Sequence, residues 1–176
     1  AAQVVRREYA IKAGVINMLR KCVTWPPDAA PARSAPLTIG ILGKDPFVEN
    51  GVNQLDRVVA DEKLKGGNIV VKRFDSIRDY EPCHILFVSS QAAEKAAEEA
   101  LVDRFKGAKR LTEGKAVLIV GESLDLTRQG AVANLIFDRE TNLIRLEINP
   151  DAAARAGLKL APDLLRLRQV EIVRDP

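Results

Sequence analysis

The sequence predicts an α/β fold, a three-layer sandwich with a mixed, mostly parallel central sheet flanked by helices. Three observations predict it. From residue 37 to about 120, short apolar runs bounded by turn residues alternate with helical segments, the pattern of strand–helix–strand units. The runs at 84–88 and 115–120 are largely apolar throughout, as expected of strands buried on both faces. After residue 130 two strand-like segments follow one another across a short polar turn, which adds antiparallel pairing.

Taken in order, Val4 to Val23 reads as a helix, with Ile11, Val15, Met18, Leu19 and Cys22 on one face. Tyr9, Ala13 and Ile16, with Arg20 beside them, form a second apolar patch opposite. A helix on a sheet needs one apolar stripe, so this patch is expected to meet the chain's own connector or a partner, including a second copy. Thr24-Trp25-Pro26-Pro27 ends the helix, because proline donates no N–H and restricts its predecessor. Residues 25–36 then read as an extended connector anchored by Trp25. A single domain is expected over 1–176: helix 1–24, connector 25–36 and α/β body 37–176.

In the body, Leu37 to Leu42 reads as a strand, followed by the turn Gly43-Lys44-Asp45-Pro46 and a short helix from about Phe47. Asp56 to Lys65 reads as a helix stopped by Gly66-Gly67, and Asn68 to Phe74 as a strand. His84 to Val88 is the next strand. Ser89-Ser90 is then expected to cap a helix over Gln91 to Phe105, since a serine oxygen accepts from free N–H groups of the first turn. Lys115 to Val120 ends at Gly121-Glu122-Ser123. Ala131 to Phe137 and Leu143 to Ile148 read as strands; in the second, Arg145 and Glu147 alternate with apolar residues, the mark of a half-exposed strand near a sheet edge. Asn149-Pro150 starts a helix that Gly157 ends. Pro162 starts another, Asp163 to Arg168, and Val170 to Val173 adds a last strand.

Composition narrows the function. The net charge of +3 is small and its basic residues are dispersed; with 5% aromatics, no basic stripe with stacking rings suits a nucleic acid. No apolar run approaches the ~18–20 residues of a membrane helix, so the chain is not expected to be membrane-embedded. The first residues show no signal-peptide pattern, and Ala1-Ala2 fits either the scar of a removed leader or an engineered chain end; the sequence is neutral on export. Cys22, Cys83 and the single His84 lack ligand spacing, so neither a metal site nor a cofactor is expected.

Chemical motifs fail on particular residues. Gly43-Lys44 lacks the earlier glycine (Thr38 stands there) and the following Ser or Thr (Asp45 stands there) of a phosphate loop. Gly121-Glu122-Ser123-Leu124-Asp125 lacks the second glycine of a nucleophile elbow. Cys83 and His84, adjacent in a strand, point to opposite faces. No nucleophile–base set converges, and no catalytic residues are assigned. One feature survives: ligands of open parallel sheets bind beyond the carboxyl ends of strands. Lys44, Asp45, Ser89, Ser90, Glu122 and Ser123 cluster at three such ends, where they either hold an anion or small polar ligand or simply cap strand-to-helix turns.

Several ordered segments resemble the YfiR-like family of bacterial periplasmic domains: Tyr9 to Trp25-Pro26, Ile39 to Phe47 (IGILGKDPF), Cys83 to Val88 (CHILFV), Gly130 to Asp138 and Arg145 to Asn149 (RLEIN), continuing through Ala152, Ala153, Gly157-Leu158 and Leu164-Leu165. The resemblance implies a periplasmic, non-catalytic module. It also implies a partner: the best-understood members repress a membrane-bound diguanylate cyclase, and so act in c-di-GMP signalling, by binding its periplasmic region. Others are expected to be sensors or ligand-binding modules. Members often carry a cysteine in the first strand that pairs with the one matching Cys83. Here that strand holds Gly40 and no cysteine, so the resemblance does not carry that disulfide over. A substitute bond between Cys22 and Cys83 is the alternative to the expected pair of free, buried thiols.

Overall fold

The computed structural model describes residues 7–31 and 35–176. The helix start expected at Val4 lies partly outside the described residues; α1 spans Glu8–Cys22. Strands β1 (Val23–Thr24) and β2 (Leu37–Leu42) follow, then β3 (Val48–Glu49), β4 (Val52–Asn53), α2 (Gln54–Leu64) and β5 (Ile69–Phe74). Next come β6 (Ile85–Val88), α3 (Leu101–Thr112), β7 (Leu118–Gly121), β8 (Ala133–Asp138) and β9 (Leu143–Ile148). The chain closes with α4 (Pro150–Arg155), β10 (Lys159–Leu160), α5 (Pro162–Leu165) and β11 (Val170–Ile172).

The main sheet has seven strands in the order β5-β2-β6-β7-β8-β9-β11. The first five are parallel, β9 runs antiparallel to β8, and β11 parallel to β9. This is the mixed, mostly parallel α/β sheet expected. Strand order reverses between β2 and β6, so the switch point lies at the turns after Leu42 and Val88. One face packs Ile39, Ile41, Phe87 and Val120 beneath α1, α2, α4 and α5. The other packs Leu86, Val88 and Ile119 against Phe105 and Ala108 of α3. Asn149 caps α4 by accepting from the N–H groups of Asp151 and Ala152, and Gly157, at φ 73°, ends it, as the sequence reading expects.

One expected helix is absent and another starts late. The segment after Phe47 is the hairpin β3–β4, turned by Asn50 (φ 52°) and Gly51 (φ 78°); Asn-Gly with both residues at positive φ is the type I′ turn signature. Residues 91–100 do not continue a helix from Ser89-Ser90. They hold one 3-10 turn, Glu94–Ala96, and α3 starts ten residues late. The buried Arg104 side chain overrides alanine propensity there: its guanidinium donates to the carbonyls of Ser89 and Glu99, and the Gln91 carbonyl accepts from Lys44 N–H. These carbonyls are thereby taken from any local helical ladder.

The faces of α1 also differ from expectation. Ala13 and Ile16 are fully buried on the sheet, with Lys12 and Leu19. Ile11, Val15, Met18 and Cys22 form a half-buried flank of the same cluster. Tyr9 packs edge-on against Phe47, 5.6 Å between centroids. Arg20 donates to Glu62 of α2, beside Asn17 and Lys21. The Asn17 amide and the Lys21 ammonium, the main causes, hold the Glu62 carboxyl down at about 2. The patch of Tyr9, Ala13, Ile16 and Arg20 is thus committed within the chain and is not a free interface. Lys12 diluted this face in the sequence; a buried carboxylate makes it tolerable.

Candidate functional site

That carboxylate is Glu122, just past β7, with its side chain 1% exposed. It accepts from Lys12 Nζ (2.8 Å), the Tyr9 hydroxyl (2.9 Å), and both the N–H and hydroxyl of Ser90. Burial, and then the Glu122 charge, push the Tyr9 hydroxyl pKa far up, so it stays a donor. Lys12 also pairs with Glu8 one turn earlier. The cluster pins α1 across the carboxyl ends of β6 and β7. The Glu122 side chain is therefore used up internally, and the exposed Ser90 is turned to it.

A cavity of about 720 Å³ opens beside this cluster. Its walls come from the start of α1, the turn after β2, the hairpin β3–β4, and the turn between β8 and β9. Lys44 and Asp45 line it, with Arg7, Gln91 and Arg139. The other expected rim residues do not. Ser89 is fully buried, its hydroxyl accepting from Gln91 N–H. Ser123 is half-buried outside the lining, and its backbone carbonyl accepts from Asn134. Strand-end position alone could not tell that Ser89 serves the fold. Arg139 was reachable from the sequence in one way: a strand parallel to β7 must deliver its following turn to the same end of the sheet.

The nucleophile and base candidates lie apart. His84 sits at the amino end of β6 and Ser123 beyond the carboxyl end of β7. His84 Nδ1 accepts from the Thr38 N–H at 2.9 Å, its backbone N–H donates to the Thr38 carbonyl, and Trp25 stacks edge-on at 6.1 Å. Burial lowers the imidazole pKa below its ordinary 6.5, with a hydrogen bond to the Ala29 backbone working the other way. The unfolded chain then binds this proton more readily than the folded one, so stability is lost as pH falls through about 6.5 and levels off below the folded value. Thermal midpoints across pH 5–8 should show this drop, and His84→Asn, whose Oδ1 can still accept from Thr38, should remove it. An unchanged profile in the variant would refute the assignment.

Cys22 and Cys83 are both free. Cys22 packs on the α1 side of the sheet and Cys83 on the α3 side, so the two are not neighbours and the substitute disulfide does not form. Cys83 is buried and Cys22 half-buried. Burial pushes the Cys83 thiol up to about 11, which leaves little thiolate near neutrality.

No helix among the described residues is long and apolar enough to cross a membrane. No curated protein matches the chain. The family described as YfiR/HmsC-like matches residues 9–168, from the first turn of α1 to just before β11, and that family is regulatory rather than catalytic. The chain belongs to the YfiR/HmsC-like family.

Proposed function

We propose that this chain is a periplasmic, non-catalytic regulatory module that binds the extracytoplasmic part of a membrane signalling protein, a diguanylate cyclase or a sensor kinase. The family match over residues 9–168 carries this reading. The separation of His84 from Ser123, and the internal commitment of Glu122, support a binding role. Homodimer formation belongs to the same reading and would use surfaces other than Ala13 and Ile16, which are buried. The test is titration of the purified chain onto the extracytoplasmic domains of membrane cyclases and kinases encoded beside its gene. Saturable binding at about 1 μM or tighter, with reduced cyclase or kinase output in vesicles, is expected. Absence of binding to every such domain refutes the reading.

A second reading, a small-molecule or anion site at the carboxyl ends of the parallel strands, is favoured by one observation. The cavity there has a volume within the ~300–1,000 Å³ range of small-ligand sites and lies beside the switch point of the sheet.

A further inference from the structure

The charges around this cavity are unevenly committed. Its three acids all have partners: Glu8 pairs with Lys12, and Glu49 accepts from the Ala10 N–H of α1. Asp45 accepts from Phe47 N–H, Asn53 and Arg73. Its cations Lys44, Arg139 and Arg7 have no ion-pair partner among the described residues. Behind the wall lies a fourth cation. Arg104 is 1% exposed, bonds only to carbonyls, and has no carboxylate at ion-pair distance among the described residues. Gly43 lets it approach: a Cβ there would stand 2.9 Å from Arg104 Nε and 2.6 Å from the carbonyl of Gln91, a lining residue. Cations focused on a concave, partly apolar wall attract an anion more strongly than the same charges on open surface.

The wall is also apolar in part. Val48, 62% exposed, and Phe137 line it with Pro46 and Tyr9. Apolar side chains left open on a cavity wall beside cations suit a ligand that covers both. We propose that the cavity binds a small amphipathic oxyanion, a carboxylate or phosphate carried on an apolar or aromatic body. Lys44 and Arg139 hold the charge, and Val48 and Phe137 hold the body. This rests on the second reading above.

The test follows backbone amide shifts of Lys44 and Gln91 by NMR while the full chain is titrated with phenyl phosphate, 3-phenylpropionate, inorganic phosphate and benzyl alcohol. The first two separate phosphate from carboxylate. At least one of them should saturate, and bind more tightly than inorganic phosphate or the neutral alcohol. Lys44→Gln with Arg139→Gln should weaken it about tenfold or more, one charge-assisted contact being worth roughly that factor. Both side chains are exposed and unpaired, so the variant's thermal midpoint should not move. Inorganic phosphate binding as tightly as the aromatic anions would overturn the amphipathic class but leave a ligand site. The alcohol binding equally well would overturn the anion. Undiminished binding by the double variant would overturn the assigned residues. No saturation by any probe up to about 10 mM would overturn both the proposal and the reading beneath it.

Discussion

Replacing Lys12 with methionine is expected to cost about 3–5 kcal/mol of stability, the usual result of leaving one member of a buried ion pair without its partner. Lys12 is 2% exposed and Glu122 equally enclosed, so water cannot take the place of the lost ammonium. Tyr9 and Ser90 would still donate to the stranded carboxylate, which keeps the loss within that range. For a chain of this size the thermal midpoint should fall by roughly 6–20 °C. Glu122→Gln added to Lys12→Met should recover most of the loss, because a neutral amide and a methionine no longer bury an unpaired charge. Urea denaturation of the wild type, the two single variants and the double variant measures the coupling. A loss below about 1 kcal/mol for Lys12→Met, or a double variant no better than the single, would show that the pair does not hold α1 in place.

Gly40→Cys is expected to create a disulfide with Cys83. A Cβ built on Gly40 stands 3.2 Å from Cys83 Sγ, and an S–S bond of about 2.04 Å places each Cβ about 3 Å from the opposite sulfur. The bond would close a loop of about 44 residues, worth up to about 4 kcal/mol in the chain-entropy account. Phe74 opposes it, since its Cε2 lies 2.7 Å from the same Cβ and must shift. Comparing the oxidised and reduced forms of the variant cancels most of that packing cost, and oxidised protein should be the more stable by about 2–4 kcal/mol. Because burial pushes the Cys83 thiol up to about 11, oxidation should be carried out during refolding in a buffer of reduced and oxidised glutathione, which accepts the two electrons and lets the native geometry choose among the three pairings. One free thiol per unfolded, non-reduced chain, that of Cys22, is expected; three would sink the prediction.

The sequence alone determined the α/β class and the course of most strands, and for a local reason. Continuous apolar runs such as Ile85–Val88 need burial on both faces, and Asn149-Pro150 and Gly157 bracket α4 by backbone chemistry that does not depend on the rest of the chain. The hairpin at Asn50-Gly51 was equally local, and the alternation around it was too short to outweigh a helical reading from about Phe47. The ordered segments that resemble the family were likewise legible, and the match over residues 9–168 agrees with them. Tertiary structure decided what depends on pairs distant in sequence. The face of α1 that meets the sheet carries Lys12, which no hydrophobic pattern would bury; Glu122, 110 positions away, reverses that preference. Residues 91–100 are tied outside a helix where Arg104 donates to the carbonyls of Ser89 and Glu99 and Lys44 N–H donates to that of Gln91. The cysteines are separated by the sheet itself. Of the strand-end residues, Lys44 and Asp45 line the cavity, while Glu122 is drawn inward by Tyr9 and Lys12, Ser89 is buried with its hydroxyl on the Gln91 N–H, and Ser90 bonds to Glu122. A polar side chain at a strand end serves either the fold or a ligand according to which donors the tertiary packing brings within 3 Å or so of it, and one-dimensional spacing does not contain those distances.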